Sequence, residues 1–338
     1  MWAKSIVYWR PNQASVRVSV AFTWHLPLAR KLCQAYMNDG QTVLAGGPAV
    51  SLMPDYLADV ASCGGDLPSL HRHNPNATFT TRGCTRQCPF CAVPKIEGEF
   101  RELTDWEPAP IVCDNNLLAS SRKHFNRVVD RLKPHKGVDF NQGLDVRLLK
   151  PWHLERLTEL RLVQIRFAWD WTSMESVVMD AIDRTLAAGI PKGRIRVYLL
   201  IGYEDTPEDA LYRLETLRNK GIRANPMRYQ PLDELVKDSY VAPNWGEEEL
   251  RRMMRYWSRQ NWLSKVPYEE YRRDRRGEMT KILEIESCED CRWGKGILCD
   301  NPIFPNGTFI PQIRYNLADQ VKALPTWCPL PDRMQASE

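Results

Sequence analysis

Three cysteines, Cys84, Cys88 and Cys91, stand on one short segment with three and then two residues between them. One loop carrying three thiolates at that spacing can wrap one iron–sulfur cubane and leave its fourth iron open to an outside chelator. Zinc sites normally pair Cys-x-x-Cys halves and close on a fourth ligand, so zinc is the weaker reading of this segment. A second group, Cys288, Cys291, Cys299 and Cys328, supplies four thiolates on loop-rich sequence. Four thiolates close a tetrahedral site, which favours a structural zinc stapling a segment with little apolar surface of its own. A second, auxiliary iron–sulfur cluster uses the same ligand count and is the alternative. Seven of the ten cysteines fall in these two groups, a distribution that suits ligation in a reducing compartment better than disulfides.

The elements that must position the first group follow it along the chain. Strand-like runs at Pro110–Cys113, Gly137–Phe140, Leu162–Ala168, Arg194–Ile201 and Ile222–Met227 alternate with helical patterns at Ser121–Leu132, Pro151–Leu160, Met174–Ala188 and Pro207–Lys220. Such alternation predicts parallel strands with crossover helices, an α/β fold whose site lies at the carboxyl ends of the strands. Upstream, Val16–Trp24, Leu28–Met37 and Thr42–Ala45 read as a short β-α-β unit, and the Gly-, Pro- and Asn-rich stretch from Ser62 to Asn76 as a connector. The expected organisation is a truncated Rossmann-like unit (1–75), the core (76–235), a basic and aromatic helical segment (236–280) and a four-Cys module (281–338).

The cysteine loop, with aromatic Phe90 just before its last thiol, resembles the signature of the radical S-adenosylmethionine superfamily. The resemblance spans about Thr78 to Asp233 and implies a partial (βα)6 TIM-like barrel. It also implies a 4Fe-4S cluster on Cys84, Cys88 and Cys91, S-adenosylmethionine as co-substrate, and an electron donor such as flavodoxin or ferredoxin. In such proteins the adenosylmethionine ammonium lies near the end of the second strand, where Asn115 or Asn116 is the expected partner. Gln142 and Arg147 are the corresponding candidates for its ribose or carboxylate, and Gly202 for close backbone approach to adenine. A turn or helix-cap role is the alternative for each of these residues. Arg166, Asp170, Arg228 and Tyr229 fall at predicted strand ends and can face a substrate, with ordinary surface ion pairing the favoured role for at least two of them. No catalytic residue is assigned.

The continuation from Ala92 to Gly98 resembles the radical methylthiotransferases, although the flanking domains of a complete one are not evident. The segment Val43–Pro54 resembles the end of a cobalamin-binding domain. The unit is short and has no Asp-x-His-x-x-Gly ligand motif, so cobalamin is not expected.

The 338 residues, 43% hydrophobic, allow a substantial core with appended modules, and the net charge of +4 does not by itself demand a nucleic-acid partner. No apolar run approaches the roughly 18 residues that cross a bilayer, and Met1–Tyr8 lacks the order of a signal peptide, so a cytoplasmic, membrane-free protein is expected. The arginines from Arg251 to Arg276 are interleaved with Tyr256, Trp257, Trp262, Tyr268 and Tyr271, which suits stacking on single-stranded nucleic acid or a looped RNA. The competing reading packs that aromatic stripe inward, and acidic Glu247 to Glu249 dilute the field. The expectation is therefore a radical enzyme abstracting hydrogen from a nucleic-acid base, with a peptide or small metabolite as the alternative substrate. The rival of another class is a non-enzymatic, zinc-dependent nucleic-acid-binding protein.

Overall fold

The computed structural model describes residues 5–64, 67, 69–259, 266–271, 294–295, 298–299 and 308–309. The chain divides into two units, Met1–Tyr271 and Arg272–Glu338.

The first unit opens on a hairpin of β1 (Ile6–Asn12) and β2 (Ser15–Val20), whose turn is fixed where the Asn12 side chain accepts from the Ala14 amide and the Ser15 hydroxyl. Helix α1 (Leu26–Asn38) carries the chain to β3 (Thr42–Gly46), which lies parallel to β2. After α2 (Pro48–Leu52), strand β4 (Ser62–Cys63) adds to β3, and α3 (Leu70–His73) follows. Val16, Val18, Val20 and Val43 close a small core against Leu26, Ala29 and Cys33 of α1. The stretch expected to be only a connector is thus partly packed. Its His73 is buried, with Nε2 3.0 Å from the Ser19 hydroxyl, which tethers α3 to the end of β2. β1 was not foreseen, because its exposed, polar second half hides the alternation of a strand.

A six-stranded parallel sheet follows, built on β5 (Ala77–Thr78). A separate two-stranded ribbon, β6 (Thr81–Arg82) and β7 (Arg101–Glu102), brackets α4 (Val93–Ile96) and the three cysteines. The sheet continues through β8 (Ile111–Val112), α5 (Arg122–Leu132), β9 (Val138–Phe140), α6 (Pro151–Thr158), β10 (Leu162–Ala168), α7 (Glu175–Ala187), β11 (Ile195–Ile201), α8 (Pro207–Lys220) and β12 (Arg223–Arg228), and α9 (Glu247–Ser258) closes the run. Spatial order is β5-β8-β9-β10-β11-β12, each strand beside its sequence neighbour in this sheet. The fold is therefore mixed α/β with parallel strands and crossover helices. Within the described residues the sheet has β5 and β12 as its edges.

Local chemistry explains the boundaries. Ser121 caps α5 through its hydroxyl, and Thr206 with Asp209 forms a reciprocal capping box ahead of Pro207 at the start of α8. Alternation in β11 buries Ile195, Val197, Leu199 and Ile201, which share one core with Ala210, Leu214 and Leu217 of α8. The expected basic, aromatic segment resolves toward packing: Tyr256, Trp257, Tyr268 and Tyr271 are buried in that core. Arg252 donates to the Tyr268 carbonyl, and Arg218 lies over the Trp257 ring.

The second unit is described only as a three-stranded antiparallel sheet of β13 (Gly294–Lys295), β14 (Leu298–Cys299) and β15 (Thr308–Phe309). Cys299 lies on β14, while Cys288, Cys291 and Cys328 fall outside the described residues.

Candidate functional site

The cysteine loop is held at its stem before any ligand is considered. Both amides of Thr80 and Thr81 donate to the Asp114 carboxylate, at 2.6 and 3.0 Å, and the Thr80 hydroxyl donates to it as well. Asp114 is the first residue beyond Cys113 at the end of β8 and is almost fully buried; burial pushes its pKa up to about 6 against the pull of these bonds. At the next turn Gly83 adopts φ +72°, and a Cβ there would stand 2.2 Å from the Glu99 carbonyl, so only glycine fits. The Gly83 amide donates to Glu97, which also pairs with Arg82 at 3.1 Å.

The thiols then sit over the carboxyl ends of the strands. Cys84 Sγ accepts from the Arg86 amide at 3.3 Å and from Asn116 Nδ2 at 3.5 Å. Asn116 Nδ2 also lies 3.5 Å from Asp145, which receives Arg86 Nε at 3.0 Å and Arg147 Nε at 2.6 Å. Burial raises the Asp145 pKa, but the two guanidiniums outweigh it and hold the carboxyl below its usual range. Cys88 and Cys91 have raised pKa values, from burial first. Arg147 opposes the rise at Cys88, and the charges of Cys88 and Cys84 add to it at Cys91. Asp170, just past β10, is pushed up to about 6 by burial and bears on both thiols.

The ring of Phe90 packs against Trp171 at 5.2 Å and Tyr203 at 5.5 Å. The aromatic contacts continue from Tyr203 to Tyr229 at 4.7 Å and from Tyr229 to Tyr240 at 5.3 Å. Gly202, at φ +78°, begins the turn that presents Tyr203. Asp205 braces this turn through the Gly202 and Tyr203 amides, and the fully buried Arg213 bonds Asp205 together with the carbonyls of Trp169, Asp170 and Leu200.

Of the residues singled out from sequence, Cys84, Cys88, Cys91, Phe90, Asn116 and Arg147 are thus brought into one connected region, with Gly202 at its border. Asn115 is at the same strand end, with its Nδ2 buried and unbonded among the described residues. Gln142 is exposed and makes no described contact with that region. Asp114, Asp145, Asp205 and Arg213 were missed as site residues. An acidic residue directly after a strand was the available signal for Asp114, whereas nothing local marks Arg213 as buried.

No group of three or more His, Cys, Asp or Glu side chains among the described residues is arranged to hold a metal ion. The thiols share one loop without being gathered into a cage. Three thiols with cationic Arg86 and Arg147 beside them form a donor set that fits an iron–sulfur cluster and zinc alike, and the amides of two asparagines at the adjoining strand end have unbonded atoms, Asn115 Nδ2 and Asn116 Oδ1. No helix among the described residues is long and apolar enough to cross a membrane. No protein-family model matches this chain and no curated protein matches it, so the reading of the site is carried by its own residues.

Proposed function

We propose that this chain is a radical S-adenosylmethionine enzyme, and that its six-stranded sheet is the partial (βα)6 barrel of that class. The observation that carries the reading is the loop of Cys84, Cys88 and Cys91, tied at its stem and set over the carboxyl ends of a parallel sheet. These three residues would hold a 4Fe-4S cluster, which when bound supplies one electron to the sulfonium of S-adenosylmethionine and so yields the carbon radical that takes hydrogen from a substrate.

The chain's own part is to bind, orient and shield. Asn116 Oδ1 and the Asn115 side chain offer polar atoms to the ammonium group, and Arg147, already anchored on Asp145, offers donors to the carboxylate. Phe90, Trp171 and Tyr203 form an apolar wall beside the thiols that keeps water from a reactive radical. A nucleic-acid base remains the substrate class we favour, now on different grounds. Aromatic residues of α9 are buried, but Tyr203, Tyr229 and Tyr240 form a row of half-buried rings at the mouth on which a base can stack.

Anaerobic reconstitution followed by iron, sulfide and zinc analysis, with an assay for 5′-deoxyadenosine after dithionite and S-adenosylmethionine are added, tests the reading. Four irons per chain with deoxyadenosine formed is the expected result; zinc alone with intact S-adenosylmethionine would overturn it in favour of a zinc-dependent binding protein. Eight irons would assign the tail cysteines, including Cys299, to an auxiliary cluster.

A further inference from the structure

The face of the parallel sheet that α7 and α8 leave uncovered is unusually cationic at one level. In β10, β11 and β12 the register aligns Arg166 with Arg196 and Arg196 with Arg223. Residues in register on neighbouring parallel strands project to the same side, and strands lie about 4.8 Å apart, so three guanidinium stems occupy a row roughly 10 Å wide. Their side is opposite that of Ile195, Val197 and Leu199, which face the helices.

Like charges side by side on a sheet are destabilising, and a buried guanidinium is normally matched by a carboxylate. Arg166 meets that expectation: it pairs with Asp139 and donates to the Phe140 carbonyl at 2.9 Å, although its Nε is buried with no partner among the described residues. Arg196 does not. It is half-buried in the middle of the row and forms no hydrogen bond or ion pair among the described residues. Burial first, then Arg223 and Arg166, lowers its pKa, and no carboxylate acts in the other direction. Arg223 is exposed, so solvent reaches the row. One step toward the strands' carboxyl ends, the small Ala168 stands beside Tyr198 and Asn225, leaving polar surface above the arginines.

We infer that the Arg166–Arg196–Arg223 row is an oxyanion site that binds a phosphate group. Guanidiniums offer paired, planar N–H donors, and a tetrahedral phosphate can engage more than one of them at once. A carboxylate satisfies one guanidinium, as Asp139 already does for Arg166. Arg166 lies within β10, two residues before its end at Ala168, whereas Asp170 lies beyond that end, so the row sits deeper along the strands than the cysteine loop. It would anchor a part of the ligand remote from any reacting atom, and it needs no cluster to be tested.

The test is thermal melting of the full chain with inorganic phosphate, against sodium acetate and sodium chloride at matched ionic strength, with Arg196→Gln and the exposed Arg223→Gln as variants. Phosphate should raise Tm saturably, with an apparent Kd at least about tenfold weaker in Arg196→Gln. Without phosphate that variant should melt no lower than the parent, because a like-charge contact has been removed. Arg223→Gln should weaken phosphate in the same direction and serves if Arg196→Gln does not fold. Uridine monophosphate and a short oligothymidylate distinguish a terminal phosphate from a chain of diesters; binding of either that is lost in the variants supports the site. An equal phosphate response in parent and variants, an equal response to acetate, or no response at all overturns it.

Discussion

Asp114 bonds the two amides and one hydroxyl from which the cysteine loop springs, yet burial makes its ionised form costly. Its pKa in the folded chain, about 6, lies above its ordinary 3.8, so the native state binds the proton more tightly than the unfolded one. This group's stabilising contribution is therefore complete below about pH 4 and is lost as the pH rises through about 6, by roughly 3 kcal/mol at most. Urea unfolding of the parent and of Asp114→Asn across that window should show a descending slope that the variant lacks. Asp114→Ala removes the acceptor altogether and should cost about 2–4 kcal/mol at neutral pH, since two buried amides lose their partner. Cys88→Ala behaves oppositely: on a half-exposed loop it should leave the melting temperature nearly unchanged while abolishing deoxyadenosine formation, and persistent cleavage by a folded variant would remove the cluster from Cys88.

At the scale of elements, Arg213 is the clasp that joins the end of β10 to the end of β11. It is wholly buried and holds four carbonyls, those of Trp169, Asp170, Leu200 and Asp209, and the Asp205 carboxylate, itself bonded by Trp245 Nε1 at 3.1 Å. Arg213→Leu should destabilise by about 3–5 kcal/mol in urea unfolding, because Asp205 is left charged and partly buried without its counterion. Gly83→Ala tests the loop stem in the same way: with φ +72° and the Glu99 carbonyl in the path of a Cβ, it should cost at least about 1–2 kcal/mol and admit proteases between Gly83 and Phe100.

Much of this scale was legible in sequence because local signals coincide with elements. Leu162–Ala168 and Pro207–Lys220 are strand and helix over the residues expected, the second fixed by Thr206, Pro207 and Asp209. The cysteine spacing likewise marked the loop. What escaped was non-local: Arg213 reads as an ordinary surface arginine of a helix until the neighbouring strands place four acceptors around it. Tyr256 and Trp257 have a composition equally suited to stacking or to packing, and only contact with the core separates the two.

Over the whole first unit, the smaller sheet is fastened to the larger one through the segment after β12. The Thr23 hydroxyl donates to the Glu234 carbonyl at 2.6 Å, and Leu235 packs into the core of Val16, Val18 and Leu26. A charge placed there would have to be buried or withdrawn, so Leu235→Asp should weaken the smaller core by about 2–3 kcal/mol. Hydrogen exchange should report it as lost amide protection in β2, β3 and α1, with the strands of the larger sheet unaffected. Equal loss in both sheets would mean that they unfold as one.

The ribbon of Thr81–Arg82 against Arg101–Glu102 has a bearing on the protein's life history. The two ends of the cysteine loop are pinned to each other, and the leading end to Asp114, by contacts that include no sulfur. On the proposed reading, loading of the loop would then be separable from folding, so the chain made without iron should melt as one folded unit.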